Sequence, residues 1–580
     1  MELSPAPGRA KYMKKNLIQG ALILTAAFAL AAGTFVSKAV ADDDGHDHQH
    51  HFEFKPDSLV LTRSVYVGRA DTITIGEDLP PGCVGGANGS SNVLVPTTTP
   101  GSSIVVNVPC GIASDNGEFP NIFNTHNVWN NATTDGSFGI TSPIFLDDMT
   151  TDGFPLGTLP VPSDMIVTSF SSKSELALNL SVDGKSLTFM GYQGGPGCGG
   201  FPVSPTAPNL IDVSASNTPA VCDPTNPVIS SSEGGSPTAY YRAVAEVDAE
   251  GHISITDGNA YSGDNGRGAI KGGNGSYYMV GNDNSGNIPK KQILNTLAGI
   301  ELANATGAEL LVPDQTPPVP PNIGMIGRIL IAGDKPGKDT NFRGLTIFNN
   351  MLYVSKGSGG NGINTVYQVG SAGTLPTGTA AELATVPISI LPGFPNTTAS
   401  TNTSFPFGMF FADANTLYVC DEGDGTLVTP AVNGNVADAQ SLATAGVQKW
   451  SLVNGTWKML YVLQDGLDIG VPYSVPFYPA TLNPATGGCR NMTGRVNRDG
   501  TVDIYAITST ISANGDQGAD PNKLVKVTDL LSATTLPTGG GEYGRDNCIG
   551  HFTTLRSARA GEVFRGIAFA PQDRDEDDGR

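Results

Sequence analysis

Charge, histidine and helix signals are all scarce in this chain of 580 residues. Charged residues make up 15% of it, and acids outnumber bases by 54 to 33. A sparse, negative surface offers no basic face to nucleic acid or anionic lipid. Four of the seven histidines crowd into positions 46–51, which leaves only His126, His252 and His551 elsewhere. Those three do not cluster as a zinc centre or a hydrolytic base would. No Gly-x-Ser-x-Gly elbow sits on a strand–turn–helix pattern. Gly263-Asp264-Asn265-Gly266-Arg267-Gly268 is glycine-rich, yet no helix signal follows it to cradle a phosphate. Helical periodicity is confined to residues 292–305, which excludes coiled coils, helical bundles and parallel α/β folds. Beyond residue 41 no apolar run is long enough to cross a bilayer.

What is present begins with a leader. Met13-Lys14-Lys15 precedes an apolar stretch from Leu17 to Val36, and Ala39-Val40-Ala41 supplies a small-residue cleavage pattern. Gln19, Gly20, Thr25 and Gly33 within the stretch, and Lys38 after it, favour a signal peptide over residues 1–41 rather than a membrane anchor. Loss of that leader removes five bases and one acid, and takes the formal net charge from −21 to about −25. An acidic, His-rich flexible segment, 42–56, follows. Its His46, His48, His50 and His51 beside four aspartates have the composition of a zinc- or copper-capturing tract, and equally of a solvated tail. Residues 573–580 read as an acidic tail.

Between these segments, residues 57–572 carry a repeat. Phe342-Arg343-Gly344-Leu345-Thr346-Ile347 returns as Phe564-Arg565-Gly566-Ile567-Ala568-Phe569, with a relative at Phe405-Pro406-Phe407-Gly408-Met409-Phe410-Phe411. After the first and third of these comes a second strand, Met351–Val354 or Thr416–Val419; the copy at Phe564 has none downstream. The missing partner is Asp57–Tyr66, at the other end of the chain. Pro143–Asp148 and Leu156–Pro162 complete that split sheet. The expectation is an all-β fold: a single β-propeller of six four-stranded blades, closed by pairing the N- and C-terminal strands. A seventh blade fits if the insertion from Gly76 to Gly139 holds one. Glu175–Leu180 is expected as the first strand of the second unit, and Asp183-Gly184-Lys185 as the turn to its second.

Arg267, Arg343, Arg490 and Arg565 stand at the heads of first strands, which line a propeller's channel. Convergent guanidiniums at a channel mouth suit carboxylate or phosphate ligands; recurrence in successive units also suits a blade-packing role. Asp147, Asp148, Asp264, Asp421, Glu422 and Asp424 are oxygen ligands of the kind that hold Ca²⁺, or solvated turn acids. The cysteines are expected to staple loops as Cys83–Cys110, Cys198–Cys222 and Cys489–Cys548, with Cys420 a free buried hydrophobe.

Several phrases resemble an uncharacterised family of exported bacterial β-propeller domains, found in envelope or extracellular proteins. They are Leu391-Pro392-Gly393-Phe394-Pro395, Phe407–Asp413, Thr416–Val419, Gly446–Trp457 and Phe564–Pro571, with Pro143–Asp148 and Ser181–Thr188 in the N-terminal half. The resemblance implies fold and compartment and carries no catalytic residue with it. The expectation is therefore a secreted or periplasmic (cell-envelope) protein that binds or scaffolds without catalysis. Its partner would be an extracellular protein, glycan or ion. The alternative is a Ca²⁺- or Zn²⁺-dependent hydrolase of phosphate or lactone esters.

Overall fold

Period-two alternation, broken by Gly, Pro and Asn, cuts this chain into short antiparallel strands. The computed structural model describes residues 52–66, 140–193, 242–282, 299–304, 323–326, 341–398, 404–512, 518–537 and 549–573. It leaves out short breaks within those ranges and adds isolated strands elsewhere, mainly between 78 and 139. The stretches described with side chains belong to the unit that begins at Phe52. The His-rich residues 46, 48, 50 and 51, and Cys83, Cys110, Cys198, Cys222 and Cys548, lie outside the described residues.

The arrangement is all-β and propeller-like, with five four-stranded antiparallel blades. Four are chain-continuous. They begin with Gly266–Lys271, Leu345–Phe348, Pro406–Asp413 and Ala485–Val496, and end with Ile323–Met325, Ile388–Ile390, Thr456–Leu463 and Thr553–Ser557 respectively. The fifth is split across the chain: Pro155–Pro160, Ile144–Met149, Leu59–Val65 and Glu562–Phe569 lie side by side in that order. Leu59 faces Phe569 and Val65 faces Glu562, with a register shift between Thr62 and Arg63.

Five blades is fewer than the six or seven expected. Where the second was expected there is a larger sheet, built from Ile253–Gly258, Arg242–Asp248, Ser186–Gln193, Ile166–Ser169 and Thr141–Ser142. Its anticipated first strand is not continuous: only Asn179–Leu180 pairs with Ser186–Gln193, and Leu176 takes a left-handed φ of 61°. The reason lies in the neighbouring Glu175. Its buried carboxylate accepts from Thr168 Oγ1, Ser169 N, Tyr192 Oη and Asn265 Nδ2, and gathering those donors competes with a regular ladder. The insertion carries its own small sheets, among them the hairpin Ser90–Pro96 with Ser103–Pro109. Of the helical signal over 292–305, the described end is instead a strand, Ile300–Asn304, held between Ser276–Gly281 and Ile323–Met325. Among the described residues no helix is long and apolar enough to cross a membrane.

The core is a circuit of apolar contacts between successive sheets. Val366 and Leu391 pack on Met409 and Leu417; Tyr418 and Val447 on Val502 and Val525; Tyr505 and Leu524 on Leu59 and Phe564. Val60 and Ile144 then pack on Leu187 and Ala245, Met190 and Val244 on Ala269 and Tyr277, and Ile270 and Tyr278 on Leu345 and Leu352. The circuit ends where it began. The Arg-Gly signature explains how inner strands come so close. A Cβ on Gly344 would lie 2.1 Å from Phe407 O, and one on Gly566 would lie 2.3 Å from Leu178 N. Only glycine permits that approach.

The cysteine expectation fails at both described positions. Cys420 is not free: it forms a disulfide with Cys489, at a Cα–Cα distance of 5.2 Å. The two lie on neighbouring sheets, Cys420 at the end of Thr416–Asp421 and Cys489 within the first strand of the next blade. Both are fully buried. The pairing follows blade geometry rather than proximity in sequence. Cys489 is thereby unavailable to Cys548.

Candidate functional site

The four arginines in or beside first strands are each at most 5% exposed. Arg267 donates from Nε to Ser174 Oγ at 2.9 Å and from a terminal nitrogen to Asn341 Oδ1 and Phe342 O. Arg343 donates from Nε to Gly357 O at 2.9 Å and lies over the Phe407 ring of the next blade. Arg490 pairs with Glu422 of the preceding blade at 2.9 Å. Arg565 donates to Phe170 O, in the larger sheet, and its Nε is buried without a partner. Burial and the neighbouring Arg490 charge push the Arg565 guanidinium down to about 9, while the Glu175 carboxylate acts in the opposite direction. All four therefore touch or approach adjacent sheets, as a ring of ties would.

Two carboxylates complete this inner set. Glu175 was not singled out in the sequence, although an acid at the head of the apolar run Glu175-Leu176-Ala177-Leu178 is the signal that marks it. Glu422, read as a solvated turn acid, is 5% exposed, and Asp421 beside it is fully buried. Burial pushes the Asp421 carboxyl up to about 7, against the backbone N–H groups of Phe405 and Gly423.

The Asp147–Asp148 pair does not converge. Successive strand residues face opposite sides of a sheet, and each of these carboxylates has its own donors. Asp148 accepts from Lys55 N at 3.1 Å and from Ser58 Oγ. Asp147 takes a two-point clamp from Arg63 at 2.8 and 3.0 Å, with Thr158 Oγ1 at 2.8 Å and Arg556 at 3.1 Å. Burial opposes ionisation of Asp147, but the hydrogen bonds and charges of Arg63 and Arg556 hold it below the usual carboxylate range. Around it opens a surface pocket of about 300 Å³, which also reaches Ser557, Arg559 and Glu562. Strands from both ends of the chain meet there.

Among the described residues, Asp248, Glu250 and His252 form a group whose ligand atoms lie within 4.8 Å of one another. They sit on the tip of a hairpin, where Asp248 accepts from His252 N at 2.8 Å in an ordinary side-chain-capped turn. Asp264 lies outside the described residues.

No protein-family model and no curated protein matches the chain. Among solved structures, one described as a glucose dehydrogenase is 13% identical with a TM-score of 0.32, covering 67% of this chain and 92% of its own. A second glucose dehydrogenase is 12% identical with a TM-score of 0.29, covering 65% and 91%. A quinonprotein alcohol dehydrogenase-like protein from Bacteroides thetaiotaomicron is 10% identical with a TM-score of 0.22, covering 74% and 85%. Likenesses this distant carry nothing about activity.

Proposed function

We propose that this chain is an exported, non-catalytic propeller that binds or scaffolds outside the cytoplasm and recognises its partner at the rim. The observation that carries the reading is the commitment of the inner charges. Arg267, Arg343, Arg490 and Arg565 are buried and bonded to neighbouring strands, which favours the blade-packing role over a ligand-binding one. With the centre serving cohesion, rim loops and edges are left to make contacts, as is usual where a rigid sheet scaffold presents variable loops. Export is supported by the leader pattern and by the Cys420–Cys489 bond, which suits an oxidising compartment. A glycan or a protein surface is the class of partner proposed.

The test is an assay of the mature protein, from residue 42 onward, against phosphate-ester and lactone panels with Ca²⁺ or Zn²⁺ added, run beside a glycan and envelope-protein binding array. The expected result is saturable binding and no turnover. Metal-dependent turnover abolished by replacing a rim acid would instead establish the hydrolase.

A further inference from the structure

The pocket where the chain ends meet carries chemistry that the inner ring does not. Its two acids are already supplied with donors. Asp147 receives Arg63, Arg556 and Thr158. Glu562 receives Arg63 at 3.2 Å and the Arg559 backbone N–H at 3.3 Å. The arginines are not exhausted in return. Arg63 spends three of its five N–H donors on those acids. Arg556 spends one on Asp147, and the Arg559 side chain has no partner among the described residues. Three arginines and two acids line the pocket, so its formal charge is positive inside a protein of formal net charge −21. Two of the guanidiniums are held in place: Arg63 lies 4.8 Å from the Phe145 ring centre and Arg556 lies 5.5 Å from that of Phe564. A positive pocket with guanidinium donors to spare suits an oxyanion.

We propose that this pocket binds a small oxyanion-bearing ligand, through a carboxylate or a phosphate or sulfate ester, with Arg556 and Arg559 making the direct contacts. Its volume of about 300 Å³ sits at the low end for ligand sites and suits a single sugar-sized group. Arg63 and Asp147 hold the floor rigid. The proposal deepens the binding reading by naming a ligand class, and it stands or falls separately from it: it concerns small anions, whatever larger partner the rim engages.

The test is isothermal titration calorimetry of the mature protein with inorganic phosphate, sulfate and glucuronate as separate probes. Arg559→Gln and Arg556→Gln are titrated beside wild type, with circular dichroism confirming the fold of each. Arg559 is exposed, so its replacement leaves the core intact. The expected result is saturable binding of at least one probe with Kd below about 1 mM. That binding weakens with added salt and by about tenfold in Arg559→Gln. Preference for glucuronate points to an acidic sugar, and preference for phosphate or sulfate to an ester. Absence of binding by all three probes, or binding unchanged in both variants, overturns the proposal.

Discussion

At the scale of single residues, one buried ion pair shows what a charge in this core depends on. Lys449 and Asp529 form an ion pair at 3.1 Å with side chains 1% and 0% exposed. Tyr418 and Tyr461 donate to the same carboxylate at 2.7 and 2.8 Å, and Lys449 also donates to Leu530 O and Leu531 O. Burial drives the Lys449 ammonium down and both phenols up, with Asp529 reinforcing the phenols and opposing the effect on the lysine. Removing one partner leaves the other charge stranded. Asp529→Ala is therefore expected to cost about 3–5 kcal/mol, read from urea unfolding. The double variant Lys449→Met, Asp529→Leu removes both charges and should recover most of that loss; a double variant as unstable as the single would mean that packing, not charge, sets the cost. Nothing in the sequence marks this group. Tyr418, Lys449, Tyr461 and Asp529 span 111 residues, and each looks like an ordinary strand position until the blades are stacked.

Elements tell the opposite story, because their signals are local. The two-residue alternation and repeated strand heads placed five inner strands at 267, 343, 407, 490 and 565, within or beside the observed Gly266–Lys271, Leu345–Phe348, Pro406–Asp413, Ala485–Val496 and Glu562–Phe569. The split sheet followed from a strand signature left without a partner. Where reading failed, a side chain overrode the backbone pattern. Glu175 pulled its own segment out of a ladder, and Leu176 adopted a conformation that apolar alternation does not anticipate. The free Cys420 and the Cys489–Cys548 pair failed for a different reason: nearest-neighbour pairing assumes loop staples, whereas blade stacking brings Cys420 and Cys489 together across 69 residues. This bond joins two blades. Replacing both cysteines by serine is expected to cost about 2–4 kcal/mol without changing the circular dichroism spectrum, and thiol titration of the unfolded native protein should show neither Cys420 nor Cys489 free before reduction. A free Cys420 would reverse the assignment. The candidate site was only half legible. Asp147 was found as an acid near a strand end, but Arg63, Arg556 and Arg559 come from chain ends whose meeting only the closed sheet reveals.

At the scale of the whole molecule, closure rests on one strand from each end, and acid should test it. Asp147 joins Arg63 of the N-terminal strand to Arg556 of the C-terminal blade. Its carboxyl titrates below the ordinary range when folded, so the unfolded chain takes up the proton first as pH falls. Its contribution is fully present above about pH 4 and is lost as pH drops further. Urea midpoints measured at descending pH should fall in wild type and fall less steeply in Asp147→Asn, which starts lower; parallel profiles would remove Asp147 from the closure. The same seam sets an order in time. Thr62 accepts from Gly566 N at 2.7 Å across 504 residues, so the blade whose strands are synthesised first is the last to be completed. Until residue 562 arrives, the Leu59–Val65 strand has one edge without its native neighbour. So large a sequence separation slows folding, because the pairing that closes the sheet must wait for nearly the whole described chain. A sheet seamed in this way is begun by one of its strands and finished by another made some five hundred residues later.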